Sequence, residues 1–358
     1  MTKFYPTDIA YMQTALMLAR RGLGNCAPNP TVGCIIVKNG RVVGRGNTAA
    51  GGRPHGETIG LEMAGADAQG ATAYVTLEPC SHYGKTPPCA TALIEAGVAR
   101  VVVACTDPNP KVNGAGIKML KDAGIEVISG VCEAEALVLN RGFFKRICCG
   151  VPEVTLKIAT TQDGSFTHPS QRWITGEAAR QFVHLMRAQH DAILTGIGTV
   201  LADDPRLDCR LAGLEDRSPI RVLLDSHLRL PENARIAREG LHLLTTQGAM
   251  EALQEKVKTL EGKGIKLVVV DMQNGRPDIA SALKYLAGEG INRLMVEAGP
   301  ILSQAFMESK MVDRLYWFKA PVQVENDKNQ YLSEMIGMKC VDRRTLEKDV
   351  ITSYEAIT

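Results

Sequence analysis

From Asp8 to Arg21 apolar side chains recur at helical spacing. Ile9, Met12, Leu16 and Ala19 fall on one face, and Asp8 stands near the start. The pattern predicts an amphipathic helix. Val32 to Val37 and Arg41 to Arg45 predict two strands. Asn39-Gly40 between them predicts a hairpin, because this dipeptide tolerates the positive φ of a type I′ turn. A helix is expected to start near His55. Short β-prone runs follow at Ala73 to Leu77, Arg100 to Ala104 and Ile125 to Ser129. Helices centred on Ala92, Met119 and Leu137 fall between or after them. A hairpin leading into β-α-β-α-β predicts a mixed sheet with helices on its faces.

The stretch from Arg146 to Pro152 reads as a junction, and a new alternation starts at Val154. Strands are predicted at Val154 to Thr160, Ala192 to Thr195, Ile220 to Leu224, Leu241 to Thr245, Lys266 to Val270, Arg293 to Glu297 and Leu315 to Lys319. Helices are predicted at Gly176 to Gln189, Met250 to Leu260, Ile279 to Ala287 and Ile301 to Glu308. At about 100–200 residues per domain, a chain of 358 residues divides into two, here 1–150 and 151–358. No internal repeat or low-complexity tract interrupts them.

Composition narrows the function classes. Hydrophobic residues at 45% and charged residues at 22% exclude a mainly disordered chain. A formal charge of +2 gives no polyanion-binding signature. Aromatics at 5% leave the cores to Val, Leu, Ile, Ala and Met, and argue against a single-strand nucleic-acid channel. No apolar run approaches the ~18 residues that span a bilayer. The N-terminus lacks the apolar core of a signal peptide. Neither a nucleic acid nor a membrane is an expected partner, and the cytoplasm is the expected compartment. Without a secretion signal, the ten cysteines are not expected to form a disulfide framework. Most sit beside Val, Ile or Ala and read as small buried hydrophobes. Cys80 and Cys89 differ: each follows a proline in a polar loop.

His55-Gly56-Glu57 is followed, about twenty residues on, by a run from Glu78-Pro79-Cys80 to Pro87-Pro88-Cys89. One imidazole and two thiolates make three zinc ligands and leave the fourth position for water. Glu57, two residues from the ligand His55, can sit beside that water without binding metal. There it can carry a proton from the water to a leaving amine. This order of residues is the signature of zinc nucleobase deaminases. The cysteines stand further apart than in that signature, which is geometrically acceptable if Cys89 starts a helix; Pro87-Pro88 favours this, and the helix would stabilise the thiolate. The bland alternative is a helix-capping His-Gly-Glu and two loop cysteines. Four polar elements in the right order after the right strands outweigh it.

With Ala27-Pro28-Asn29-Pro30-Thr31-Val32-Gly33 and Thr106-Asp107-Pro108-Asn109-Pro110, this half resembles the deaminase half of the bifunctional riboflavin-biosynthesis deaminase/reductase family, which carries the longer cysteine spacing. The resemblance implies a cytidine-deaminase-like three-layer α/β domain, with zinc on His55, Cys80 and Cys89 and Glu57 as proton shuttle. It further implies pyrimidine or ribose contacts at Asn29, Asp107 and Asn109, and phosphate contacts at His82 and Lys85. Asparagine and aspartate beside proline also simply build turns.

No GxGxxG follows the first strand of either half. Gly196-Ile197-Gly198 follows a strand and can let backbone amides approach a phosphate. Glu297-Ala298-Gly299-Pro300 closes a strand ahead of a helix, another anion-binding arrangement. With Leu156 to Gly164, Trp173-Ile174-Thr175-Gly176, Arg187-Ala188-Gln189 and Gly196 to Pro205, these segments resemble the reductase half of the same family, a dihydrofolate-reductase-like α/β domain. The resemblance implies an NADPH site at Ala159, Trp173, Thr199, Asp203, Ser226 and the run Gly299, Pro300, Ile301, Leu302, Ser303, Gln304 and Ala305. It implies that Arg187, Leu207, Arg210 and Glu297 hold the sugar-phosphate substrate. The arginines make physical sense, because a phosphomonoester favours forked donors. The loop from Asp163 to Trp173 is shorter than in the family, and Gln171 takes the place of a serine two residues before the tryptophan. The final 35 residues carry no recognised motif.

The expected protein is a bifunctional homo-oligomeric enzyme. Its first half hydrolytically deaminates a phosphoribosylaminopyrimidine; its second reduces the ribosyl to a ribityl chain with NADPH. A nucleic-acid-editing deaminase would leave the second half without a role. A decayed binding protein would not retain every zinc ligand and Glu57.

Overall fold

The computed structural model describes residues 4–83, 87–109, 112–168, 170–171, 173–273, 275–324 and 337–357. The chain divides into two compact units, Met1–Gly150 and Val151–Thr358.

The first unit runs α1 (Pro6–Arg20), β1 (Gly33–Lys38), β2 (Arg41–Asn47), α2 (Gly56–Ala64), β3 (Thr72–Val75), α3 (Cys89–Glu95), β4 (Arg100–Val103), α4 (Ala115–Asp122), β5 (Glu126–Ser129), α5 (Glu133–Leu139) and α6 (Arg141–Cys149). The sheet order is β2-β1-β3-β4-β5. β1 is antiparallel to both neighbours, and β3, β4 and β5 are parallel. This is the mixed sheet the pattern predicts. α1 packs on β1 and β3 and touches α5, whereas α2, α3 and α4 follow one another in contact, α2 lying over β1 and β2. Met12 and Leu16 of α1 meet Ile35, Ile36, Val101 and Leu120 in one buried core. Each such side chain contributes roughly 1.5–3 kcal/mol. Asp8 is buried: its carboxylate accepts from Arg100 Nη1 at 2.9 Å, Arg100 Nη2 at 2.8 Å and the Tyr74 hydroxyl at 2.8 Å, fixing α1 to the sheet.

The second unit runs β6 (Glu153–Thr160), α7 (Glu177–Ala188), β7 (Ala192–Gly196), α8 (Ile197–Asp203), β8 (Ile220–Leu224), β9 (Leu241–Thr245), α9 (Gln247–Ala252), α10 (Gln254–Gly262), β10 (Lys266–Val269), β11 (Met272–Gln273), β12 (Arg276–Pro277), α11 (Ile279–Gly288), β13 (Arg293–Glu297), α12 (Pro300–Glu308), β14 (Arg314–Lys319), β15 (Met338–Leu346) and β16 (Asp349–Ala356). The main sheet has the order β10-β9-β8-β7-β13-β6-β14-β16-β15. Strands β10 through β14 of that order are parallel; β16 and β15 close the edge antiparallel. The central parallel strands β7 and β13 are buried on both faces and are near-continuous apolar runs, whereas no residue of the edge strand β10 is buried.

Several elements depart from expectation. α6 occupies much of the predicted junction and ends at Gly150, where φ is 71°. Gly196-Ile197-Gly198 leads straight from β7 into α8, which the pattern did not predict: Gly196 caps the helix and Gly198 lies inside it. The helix predicted from Met250 is broken at Leu253 into α9 and α10. The final segment, blank in the sequence reading, forms the β15–β16 hairpin. Cys26, Cys34, Cys105 and Cys209 are buried as expected of small hydrophobes, but Cys148, Cys149 and Cys340 are exposed.

Candidate active sites

In the first unit, His55, Cys80 and Cys89, which could hold a metal ion, come together at one point. His55 is the residue that caps α2, and Cys89 is the first residue of α3. His55 Nδ1 lies 3.2 Å from Cys89 Sγ and 3.7 Å from Cys80 Sγ, and the Cys89 amide donates to Cys80 Sγ at 3.2 Å. The three ligand atoms all lie within 4.8 Å of one another. Tetrahedral zinc with bonds of ~2.0 Å to nitrogen and ~2.3 Å to sulfur spaces such atoms about 3.5 Å apart. The donor set therefore fits zinc in identity and in spacing. The Cys89 thiol and burial act on Cys80 in opposite senses; hydrogen bonds from Cys89 and His55 prevail and bring Cys80 down to about 4. Cys89 moves the other way, since it shares a proton with Cys80 and is buried.

Glu57, in the first turn of α2, is 3% exposed. Burial pushes its carboxyl up to about 7, and its Oε2 has no hydrogen-bond partner. An orphaned, buried carboxylate oxygen is costly unless something else occupies the site. Gly56 explains why glycine separates the two functional residues: a Cβ there would lie 2.5 Å from the Val32 carbonyl oxygen.

Glu78, to which sequence reasoning gave no role, organises the surrounding loop. Its buried carboxylate accepts the amides of Asp107 at 3.2 Å, Gly114 at 2.9 Å and Ile117 at 3.1 Å. Only its place directly after an apolar strand and before Pro79-Cys80 marks it. Asp107 is buried, accepts the Asn109 amide at 2.8 Å and is raised to about 6, chiefly by burial. His82 is exposed but within electrostatic reach of Asp107. Asn29 donates to the Gly52 carbonyl at 2.7 Å, beside the segment leading into His55. Lys85 lies outside the described residues.

In the second unit, β7 ends directly in α8, β13 leads through Ala298 and Gly299 into α12, and Ser226 follows β8. Ligand sites of parallel sheets gather at such strand ends. Thr199 Oγ1 accepts the Gly299 amide at 3.2 Å, so the starts of α8 and α12 adjoin. The first-turn amides of α12 have no partner within the helix and suit a phosphate. Within the predicted run, Ile301 is exposed, whereas the Ser303 hydroxyl is buried and donates to the Ala298 carbonyl at 3.1 Å. Gln304 is bonded to Glu308. Ala159 lies on β6, and the Ser226 carbonyl accepts from Thr246. Trp173 is half exposed, with the Arg180 guanidinium 5.6 Å from its ring centre. Gln171 is exposed.

Register places Glu297 of β13 opposite Lys157 of β6. Lys157 Nζ lies 3.9 Å from Glu297 Oε2, and Arg187 Nε lies 2.7 Å from Oε1. Burial lowers Lys157, with Glu297 opposing it. Lys157, though in a noted run, had been given no role; a lysine among strand hydrophobes was its signal. Asp203 is close enough to act on Lys157 electrostatically. Arg187 Nη1 also donates to the Asp208 carbonyl at 3.0 Å, and Arg210 is ion-paired with the Asp208 carboxylate. Leu207 has φ of 53° and a buried side chain, so only its backbone is available to a ligand.

The two units thus define a zinc-dependent deaminase joined to an α/β reductase. Comparison with known proteins makes the class particular. Residues 6–105 match the model of the cytidine and deoxycytidylate deaminase zinc-binding region, and residues 152–351 match that of the RibD C-terminal domain. The riboflavin biosynthesis protein RibD of Escherichia coli is 43% identical over 335 residues, covering 89% of each chain. RibD of Aquifex aeolicus is 42% identical, covering 88% of this chain and 87% of its own. A solved structure of Acinetobacter baumannii RibD superposes with a TM-score of 0.86 at 40% identity, over 98% of this chain and 99% of that one. The chain belongs to the RibD family, the bifunctional deaminase/reductases of riboflavin biosynthesis, which pair zinc with NADPH.

Proposed function

We propose that the first unit deaminates 2,5-diamino-6-(5-phosphoribosylamino)pyrimidin-4-one and that the second reduces the deaminated product to 5-amino-6-(5-phosphoribitylamino)uracil. The observation that carries the first step is the His55, Cys80 and Cys89 cluster with Glu57, two residues from His55, whose Oε2 has no hydrogen-bond partner. Zinc, when bound there, supplies a Lewis acid that acidifies water. Glu57 takes a proton from water on its Oε2 and returns it to the leaving amine. Water adds at the amine-bearing ring carbon, and ammonia departs. Asn29, Asp107 and Asn109 orient the pyrimidine and ribose, and Glu78 holds the loop that presents Asp107. His82 and Lys85 are assigned to the phosphate on the resemblance alone.

NADPH, when bound, supplies the hydride that opens the ribosyl ring. Thr199, Asp203, Ser226 and the Gly299 to Ala305 segment hold it, with Ala159 and Trp173 flanking. Arg187 and Arg210 hold the substrate phosphate, with Gln171, the Leu207 backbone and Glu297 completing the site. A crossed pair of assays tests the reading. Purified protein is given the pyrimidine with and without NADPH, and ammonia and NADPH are followed separately. Ammonia is expected in both cases, and NADPH oxidation only after deamination. Ammonia release that survives complete zinc removal, or NADPH oxidation independent of the pyrimidine, contradicts it. The chain is further read as a cytoplasmic homo-oligomer; among the described residues, no helix is long and apolar enough to cross a membrane.

A further inference from the structure

The second unit carries a pocket of about 250 Å³ whose position differs from that of the cofactor segments. Those segments follow the C-terminal ends of β7, β8 and β13. The pocket lies where β8 and β9 begin, lined by Ser218, Arg221, Arg238 and Gly240, with Asp208 at its side. Its charge is unbalanced. Asp208 is the sole carboxylate in the lining, and it is already held by Arg206 Nε at 2.7 Å and by Arg210. Arg238 reaches it only at 3.8 Å. Among the described residues no carboxylate is ion-paired with Arg221, and Asp208 acts on it only at a distance; its Nη2 donates to the Glu239 carbonyl, and its Nη1 is buried with no partner. Burial and the neighbouring Arg238 push Arg221 down to about 10, a cost that a bound anion would relieve. Ser218 is committed, accepting the Cys209 amide and donating to the Glu215 carbonyl, so the guanidiniums are the donors left to a guest.

We propose that this pocket binds a small dianionic oxyanion of the phosphate class at Arg221 and Arg238, separate from the substrate phosphate assigned to Arg187 and Arg210. Guanidinium forks match the paired oxygens of phosphate. A dianion balances both arginines, whereas a monocarboxylate leaves one unpaired. The volume suits a tetrahedral ion or the head of a phosphate monoester with its waters. The separateness of the two sites rests on the proposed assignment of the substrate phosphate to Arg187 and Arg210, which meet Asp208 at its carbonyl and its Oδ1.

Calorimetric titration of the full chain with inorganic phosphate, at ionic strength held constant with chloride, tests it. Wild type, Arg238→Gln, Arg221→Gln and Arg187→Gln are compared. Losing a charged hydrogen bond weakens binding about tenfold or more. That loss is expected in Arg238→Gln and Arg221→Gln, while Arg187→Gln retains the pocket's binding. Arg238 is exposed enough to be replaced without unfolding, so it carries the test should Arg221→Gln fail to fold. Absence of phosphate binding by wild type, or binding that Arg238→Gln leaves intact and Arg187→Gln abolishes, overturns the proposal. Glycerol phosphate provides a second arm. Competition with inorganic phosphate marks a monoester site, and its failure to compete marks a site for the free ion.

Discussion

Arg187 grips Glu297 at two points, Nε to Oε1 at 2.7 Å and Nη2 to Oε2 at 3.0 Å. Parallel bonds of this kind fix direction as well as charge. Burial alone would raise the Glu297 carboxyl; Arg187 and Lys157 beside it hold it at about 2 instead. The depressed value means that the stabilisation is present above the unfolded carboxyl range, near 4.3, and is lost only as pH falls toward about 2. Between pH 5 and 8 it is constant. Glu297→Gln leaves two cations without their anion. Breaking a largely buried pair from one side costs about 3 kcal/mol or more. The variant is expected to melt earlier and to lose NADPH-dependent reduction while ammonia release from the pyrimidine continues. Equal loss of both activities would contradict the assignment of Glu297 to the second site.

His190 gives the second unit a different pH dependence. Its Nδ1 meets the Met186 carbonyl at 2.6 Å and its Nε2 meets the Thr155 hydroxyl at 3.0 Å. The ring is satisfied while neutral. Burial, then Arg293, lowers it to about 3. The unfolded chain therefore takes up a proton below about pH 6.5 that the folded chain refuses. Stability is full above that pH and falls as pH drops toward about 3, by roughly 2 kcal/mol at pH 5. Thermal melts across pH 5 to 8 are expected to show a shallower slope for His190→Gln than for wild type. Identical slopes would remove His190 as the source.

Glu57 is tested by a change that preserves size. Glu57→Gln keeps the volume next to Cys89 and removes the proton carrier. Loss of an acid-base group lowers the rate about 10²-fold or more. Deamination is expected to fall by that factor with zinc content unchanged by elemental analysis. Reduction of pre-deaminated substrate stays near wild type. A deamination rate close to wild type would sink the role.

How legible these sites were depends on range. His55, Glu57, Cys80 and Cys89 come from two short runs, so their chemistry can be read before any folding is known. The central parallel strands β7 and β13 were legible because burial on both faces leaves continuous apolar runs. Glu78 was not, since its partners at Asp107, Gly114 and Ile117 lie about thirty to forty residues away. The β15–β16 hairpin hid for another reason. Lys339 to Arg344 of β15 are exposed and mostly polar, and the buried positions of β16 include Asp349 and Ser353. Period-two burial there carries no apolar signal. α8 was missed because it begins without a break at the end of β7.

Gly116 ties distant packing to the metal centre. It lies in the first turn of α4, and a Cβ there would stand 1.9 Å from the Pro79 carbonyl oxygen. Pro79 immediately precedes Cys80, so the obstacle is the backbone that carries a proposed zinc ligand. Backbone cannot swing aside as a flexible side chain can. Overpacking of this kind costs about 1–3 kcal/mol. Gly262 is the control: it is also helical, and a Cβ there meets nothing within 4 Å. The same substitution at that site is expected to stabilise by about 0.5–1 kcal/mol, through the helix preference for alanine. Gly116→Ala is therefore expected to lower the melting temperature, the zinc retained through dialysis and the deamination rate together. NADPH oxidation on pre-deaminated substrate is expected to persist, because Gly116 belongs to the other unit. Gly262→Ala is expected to retain zinc and both activities. Full zinc content and full deamination in Gly116→Ala would show that α4 can withdraw from Pro79 without moving Cys80.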